Sequence, residues 1–143
     1  MKLKPTMKHL FLCLFVLHFT SMAAQETWKM RLTCPEEKIN VVLDLYKESV
    51  VVPTMEEFGP MNGYMNGNIY GVWTVTSHKI KDNTTATINL SNDLGSETQE
   101  CLLTQKTDST WVMKFIGRNV IKRVNGKKLV KIPSELTFKT KND

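Results

Sequence analysis

Between residues 39 and 45 apolar side chains stand at every second position: Ile39, Val41, Leu43 and Leu45, with Asn40, Val42 and Asp44 between them. A period of two is the mark of a strand with one buried face. The same pattern recurs along the chain. Residues 28–33 alternate into Cys34, and residues 69–80 carry Ile69, Trp73 and Val75 against Tyr70, Val72 and Thr74. Residues 86–90 set Ala86, Ile88 and Leu90 against Thr87 and Asn89. Residues 98–105 bring Cys101 beside Leu102 and Leu103, and residues 109–117 set Trp111, Met113 and Phe115 against Val112, Lys114 and Ile116.

Residues 119–132 read as a hairpin around Asn125-Gly126, a pair that favours tight turns. With those two residues as the turn, Arg123 and Lys128 face each other, and like charges directly opposed cost stability. Residues 54–68 show no steady period. Their three glycines and the doubled Met-Asn-Gly predict a mobile loop or hairpin tip. Outside a faint possibility at residues 52–59, no helical period is sustained. Several short strands separated by turns predict an all-β sandwich in a single domain.

The first 24 residues do not belong to that pattern. Lys2, Lys4 and Lys8 precede a short apolar run, and small residues follow it, with Ser21 and Ala23 at cleavage spacing. This is the layout of a secretory signal peptide, and the apolar run is too short to span a bilayer. The expectation is therefore a secreted protein without a membrane anchor. Of 19 basic and 14 acidic residues, three lysines leave with the signal, so the mature net charge falls from +5 to +2. Cys13 leaves too. Cys34 and Cys101 remain, and two cysteines in an exported chain are expected to form one disulfide. Closing that span would contribute roughly 3–4.5 kcal/mol, a large share of a small domain's net stability.

Charge divides unevenly along what is left. Residues 25–109 hold 7 basic and 12 acidic side chains, residues 110–143 hold 9 and 2. Lys114, Arg118, Lys122, Arg123, Lys127, Lys128 and Lys131 follow one another with no acid between them. Such a strip is a candidate site for sulfated glycans or another polyanion. It is equally the composition of an edge hairpin whose lysines block aggregation. Asn83 and Asn89 each open an N-glycosylation sequon, with Asn83 in a turn and Asn89 on the outward face of a strand.

Chemistry beyond binding finds little footing. His78 is the one histidine of the mature chain. Ser77 beside it points to the opposite face of a strand, so the two do not form a nucleophile–base pair. No metal-ligand cluster, phosphate loop or cofactor motif is present in the sequence, and the basic strip lacks the interleaved aromatics of a nucleic-acid surface. The expectation is a non-enzymatic protein with no cofactor and no nucleic-acid partner.

The stretch from Cys34 through Ile39, Val41 and Leu43 resembles the first strand of the N-terminal module of zona pellucida domains: a cysteine, four residues, then alternating apolar positions. Cys101 closing an apolar strand, and the run from it to Trp111, are similar to the small oocyte-secreted and placenta-specific proteins that carry this module alone. The inner cysteine pair of that module has no counterpart here. An ordinary immunoglobulin domain fits less well, since Trp73 lies far beyond Cys34 and Gln99 stands where its tyrosine would be. The resemblance implies an immunoglobulin-like β-sandwich of the zona pellucida N-type over residues 25–113, with Cys34 bridged to Cys101, followed by a basic hairpin and tail over 114–143. It also implies a role in oocyte, placental or fertilisation biology. The partner would be an extracellular protein or cell-surface receptor, with the loop at residues 61–68 or the basic strip as its contact. The rival expectations are a heparin-binding factor using the basic strip, an immunoglobulin-like immune ligand or decoy, and a small hydrolase using His78.

Overall fold

A computed structural model describes residues 27–142; the signal segment, residues 1–24, lies outside the described residues. The all-β expectation holds. Eight strands form one closed antiparallel sheet: β1 (Lys29–Cys34), β2 (Ile39–Asp44), β3 (Gly63–Gly67), β4 (Trp73–Ile80), β5 (Thr85–Asn92), β6 (Thr98–Thr107), β7 (Thr110–Ile116) and β10 (Glu135–Thr140). From β1 to β7 each strand pairs with the next in sequence. The chain then leaves the barrel as a separate hairpin, β8 (Lys122–Asn125) and β9 (Lys128–Lys131), and returns as β10 between β7 and β1. One 3-10 turn, Glu56–Phe58, is all that corresponds to the faint helical signal at 52–59.

The long ladders run through β1–β2–β3 and through β4–β5–β6–β7–β10. They meet at two short seams, Tyr64↔Thr74 with Met65↔Trp73, and Leu32↔Thr140 with Thr33↔Lys139. A sandwich is two sheets facing each other; here the two ladders are joined at both sides into one. The boundary expected after Met113 falls inside β7, and the expected tail supplies β10, which closes the barrel.

The interior follows from the alternation. Ala86, Ile88 and Leu90 of β5, Gln99, Cys101 and Leu103 of β6, Trp111, Met113 and Phe115 of β7, and Leu136 and Phe138 of β10 all point inward. An eight-stranded barrel has room for about one layer of side chains from each wall, and Trp28, Trp73, Met65 and Phe138 fill it. Trp28 and Trp111 meet edge to face with centroids 5.2 Å apart. Each large side chain so buried contributes about 1.5–3 kcal/mol.

Residues 54–68 depart from expectation. Met61 is bridged to Val50, and Gly63–Gly67 is a barrel strand between β2 and β4 with Met65 fully buried. The glycines permit close contact. A Cβ on Gly63 would stand 2.3 Å from the Val42 carbonyl oxygen, and one on Gly67 (φ 112°) 2.3 Å from that of Lys38. Glycine in a strand often marks such a close approach.

Candidate recognition surface at the hairpin

The chain between β7 and β8 is clamped from two sides. Gln99, 2 % exposed on β6, accepts at Oε1 from the Val120 amide (3.0 Å), and its Nε2 donates to the carbonyls of Ile116 (3.1 Å) and Glu100 (3.0 Å). Asn119 donates from Nδ2 to the Ile132 carbonyl at 2.7 Å, and its Oδ1 accepts from the Ile121 amide at 3.0 Å. Ile121 and Ile132 are buried in the barrel core and joined by a 3.2 Å backbone bond. The hairpin therefore projects from a fixed neck. Sequence reading noted Gln99 only as the residue in an immunoglobulin tyrosine's place and passed over Asn119, because nothing in the local pattern of a polar residue says which backbone it will satisfy.

The hairpin turns at Gly126-Lys127, one position later than Asn125-Gly126. Gly126, with φ 63°, takes the first central position, as a type II′ turn requires. The register becomes Lys122↔Lys131, Arg123↔Val130, Val124↔Leu129 and Asn125↔Lys128. The expected Arg123–Lys128 clash is thereby avoided. Arg123 instead makes an ion pair with Glu37 at 2.5 Å.

This register breaks up the basic strip. Lys122, Val124, Leu129 and Lys131 share one face of the hairpin, while Arg123, Asn125, Val130 and Lys128 share the other. Lys114 lies on β7 between Leu102 and Glu135 of the neighbouring strands, and Lys127 sits in the turn. The structure gathers only Arg118, Lys122 and Lys131, which line a concavity of about 110 Å³ with Asn119, Val120 and Glu97. Among the described residues, none of these three cations makes an ion pair. Adjoining it through Glu97, Val120 and Lys122, a second concavity of about 140 Å³ is lined by Tyr70, Trp73, Leu94 and Leu129. Tyr70 is 58 % exposed, Leu94 80 % and Val124 57 %. Large apolar side chains exposed together are a mark of interaction sites.

A wider groove of about 750 Å³ runs over the outer face of β1–β3, past Lys29, Val42, Asp44 and Tyr64. Its carboxylate is already committed: Asp44 accepts from the Ser49 hydroxyl at 2.6 Å and the Lys47 amide at 3.0 Å. Burial works to raise the Asp44 pKa, but those bonds, with the Tyr46 amide and the charge of Lys29, outweigh it and hold the group below the ordinary carboxylate value.

The other sequence-derived positions are scattered. Cys34, at the end of β1, and Cys101, inside β6, are both buried free thiols, so the expected bridge is not formed. Their strands are separated around the barrel by β10 and β7. The Cys34 thiol approaches the Glu36 carboxylate at 3.7 Å, and the Cys101 thiol approaches the Gln99 carbonyl at 3.9 Å. Burial raises both thiol pKa values, which disfavours the reactive thiolate. Asn83 stands exposed in the β4–β5 turn, beside the bonds that Thr84 makes to Asp82. Asn89 is half-buried in the middle of β5, where its Nδ2 donates to the Ser77 hydroxyl at 2.9 Å. Ser77 is thus engaged by Asn89, with its neighbour His78 on β4 opposite Ile88.

No protein-family model matches the chain, no curated protein is significantly similar to it, and no solved structure matches it. Among the described residues, no helix is long and apolar enough to cross a membrane.

Proposed function

We propose that this chain is a secreted, non-enzymatic protein that recognises an extracellular protein or cell-surface receptor through the β8–β9 hairpin and the surface at its base. The carrying observation is a coincidence at one place. Exposed Tyr70, Leu94, Val124 and Leu129 adjoin three cations that make no ion pair among the described residues, on and around a hairpin whose neck is pinned to a filled barrel. A pre-organised, partly apolar surface loses little entropy on binding, and export is supported by the layout of residues 1–24.

The zona pellucida N-type kinship is a narrower version of the same proposal and would place the chain in oocyte, placental or fertilisation biology. It rests on the alternation now seen as β2 and on the placement of Cys34 and Cys101. In the structure those cysteines are free thiols and the strands form one closed sheet. Recognition through the hairpin does not depend on that kinship. Heparin binding by the basic strip is the weaker rival, because the register sends Arg123 and Lys128 to the face opposite Lys122 and Lys131.

The test is binding of fluorescently labelled protein to cells of the organism that makes it, read by flow cytometry. Leu129→Asp with Tyr70→Ala should weaken binding at least fivefold. Val51→Asp, at an exposed apolar position away from the hairpin, should leave it unchanged. Equal binding by all three proteins would refute the proposed surface.

A further inference from the structure

The edge of β9 is unpaired, and its register specifies what would fit there. Asn125 and Lys128 flank a two-residue turn, so they form a hydrogen-bonded pair, as do Arg123 with Val130 and Ile121 with Ile132. Alternation then turns the N–H and C=O groups of Leu129 and Lys131 away from β8, toward the open edge. On β8 the matching outward carbonyl, that of Lys122, is taken by the Tyr70 amide at 2.7 Å. No backbone group occupies the corresponding positions on β9 among the described residues. Lys122 and Lys131 meanwhile stand directly opposed on one face, with Arg118 and a single acid, Glu97, lining the same concavity. Like charges so placed repel, and an incoming anion relieves that repulsion.

We infer that β9 is a docking edge for an extended segment of the extracellular partner, which adds to the hairpin as a third strand. The inference rests on the recognition reading and names the chemistry of its partner. Strand addition gives affinity through main-chain hydrogen bonds and specificity through alternate side chains. A residue of the incoming strand beside Lys131 joins the face that carries Lys122 and Lys131 and is acidic. A residue two positions along lies beside Leu129, on the face that Leu129 shares with Val124, and is apolar. The segment is thus an acidic and an apolar residue separated by one. A second copy of the chain is disfavoured as the occupant, because β9 carries two lysines and no acid and so brings no anion to Arg118, Lys122 and Lys131. A sulfated glycan offers no apolar group for Leu129 and no strand for the edge.

The probes are two synthetic peptides, acetyl-Thr-Glu-Thr-Leu-Thr-Glu-Thr-amide and the same peptide with lysine for glutamate, together with a heparin oligosaccharide. The full mature protein is titrated with each while amide exchange is followed by NMR. The acidic peptide should bind at least tenfold more tightly than the basic one and should slow exchange at the Leu129 and Lys131 amides. Lys122→Glu with Lys131→Glu should reverse the preference, and Lys114→Gln should leave it intact. Equal binding of both peptides, no binding, protection elsewhere, or binding of heparin alone would each overturn the inference. If the peptides fail while cell binding still depends on Leu129 and Tyr70, the recognition surface stands and only the docked-strand inference falls. If cell binding ignores those residues, the recognition reading itself fails.

Discussion

Gln99→Met removes one amide from a buried position while keeping nearly the same volume, and the structure sets the consequence. The Val120 amide and the Ile116 carbonyl lose their side-chain partner, at 3.0 and 3.1 Å respectively; the 3.0 Å bond to Glu100 is local to Gln99's own strand. An unsatisfied buried group costs about 1–3 kcal/mol. Both groups here are only part-buried, so the lower end applies to each, and the sum is about 2–3 kcal/mol. For a domain of this size that is a fall in Tm on the order of 10 °C. Urea unfolding followed by the fluorescence of buried Trp28, Trp73 and Trp111 measures the loss, and exchange at the Val120 amide localises it. A change below about 0.5 kcal/mol, within the range of ordinary surface substitutions, with Val120 still protected, would refute the claim that Gln99 holds the neck of the hairpin.

Cys34 and Cys101 should react with Ellman's reagent only after denaturation, and peptide maps of unreduced protein should contain no crosslink between them; a native 34–101 link would contradict the structure. Asp44→Ala should cost about 1–2 kcal/mol at neutral pH, from the lost hydrogen bonds. Because the folded-state pKa of Asp44 lies below its unfolded value, that contribution is present above about pH 4 and fades as pH falls through the folded pKa; urea midpoints of the two proteins should therefore converge on acidification. Gly63→Ala should destabilise by more than about 2 kcal/mol, since its Cβ would meet the Val42 carbonyl oxygen at 2.3 Å and Leu43 at 2.8 Å; a shift in Tm of a degree or less would show that β3 does not pack as described.

The strands with strict alternation were legible in advance. β2, β5 and β7 follow from apolar side chains at every second position, because one wall of the barrel is buried and the other is wet. β3 was not legible. Its glycines and asparagines read as a loop, and only the closeness of the neighbouring backbones shows why glycine is needed there. Closure of the sheet was also hidden: β1 and β10 lie at opposite ends of the described chain and share just two register pairs. The basic strip was visible as composition, but its division depended on a turn displaced by one residue, which sends alternate side chains to opposite faces. The cysteines were legible only as a pair expected in an exported chain; their placement as buried thiols on strands that β10 and β7 separate is a matter of topology, which local pattern does not carry.

Removing the hairpin while preserving the barrel tests the recognition surface most directly. Ile121 and Ile132 are already a hydrogen-bonded pair, so replacing residues 122–131 with Asn-Gly closes the chain by a two-residue turn. The shortened protein should unfold cooperatively near the wild-type Tm and lose binding to the cells that the intact protein labels. A shortened protein that folds and still binds those cells with undiminished affinity would contradict the account.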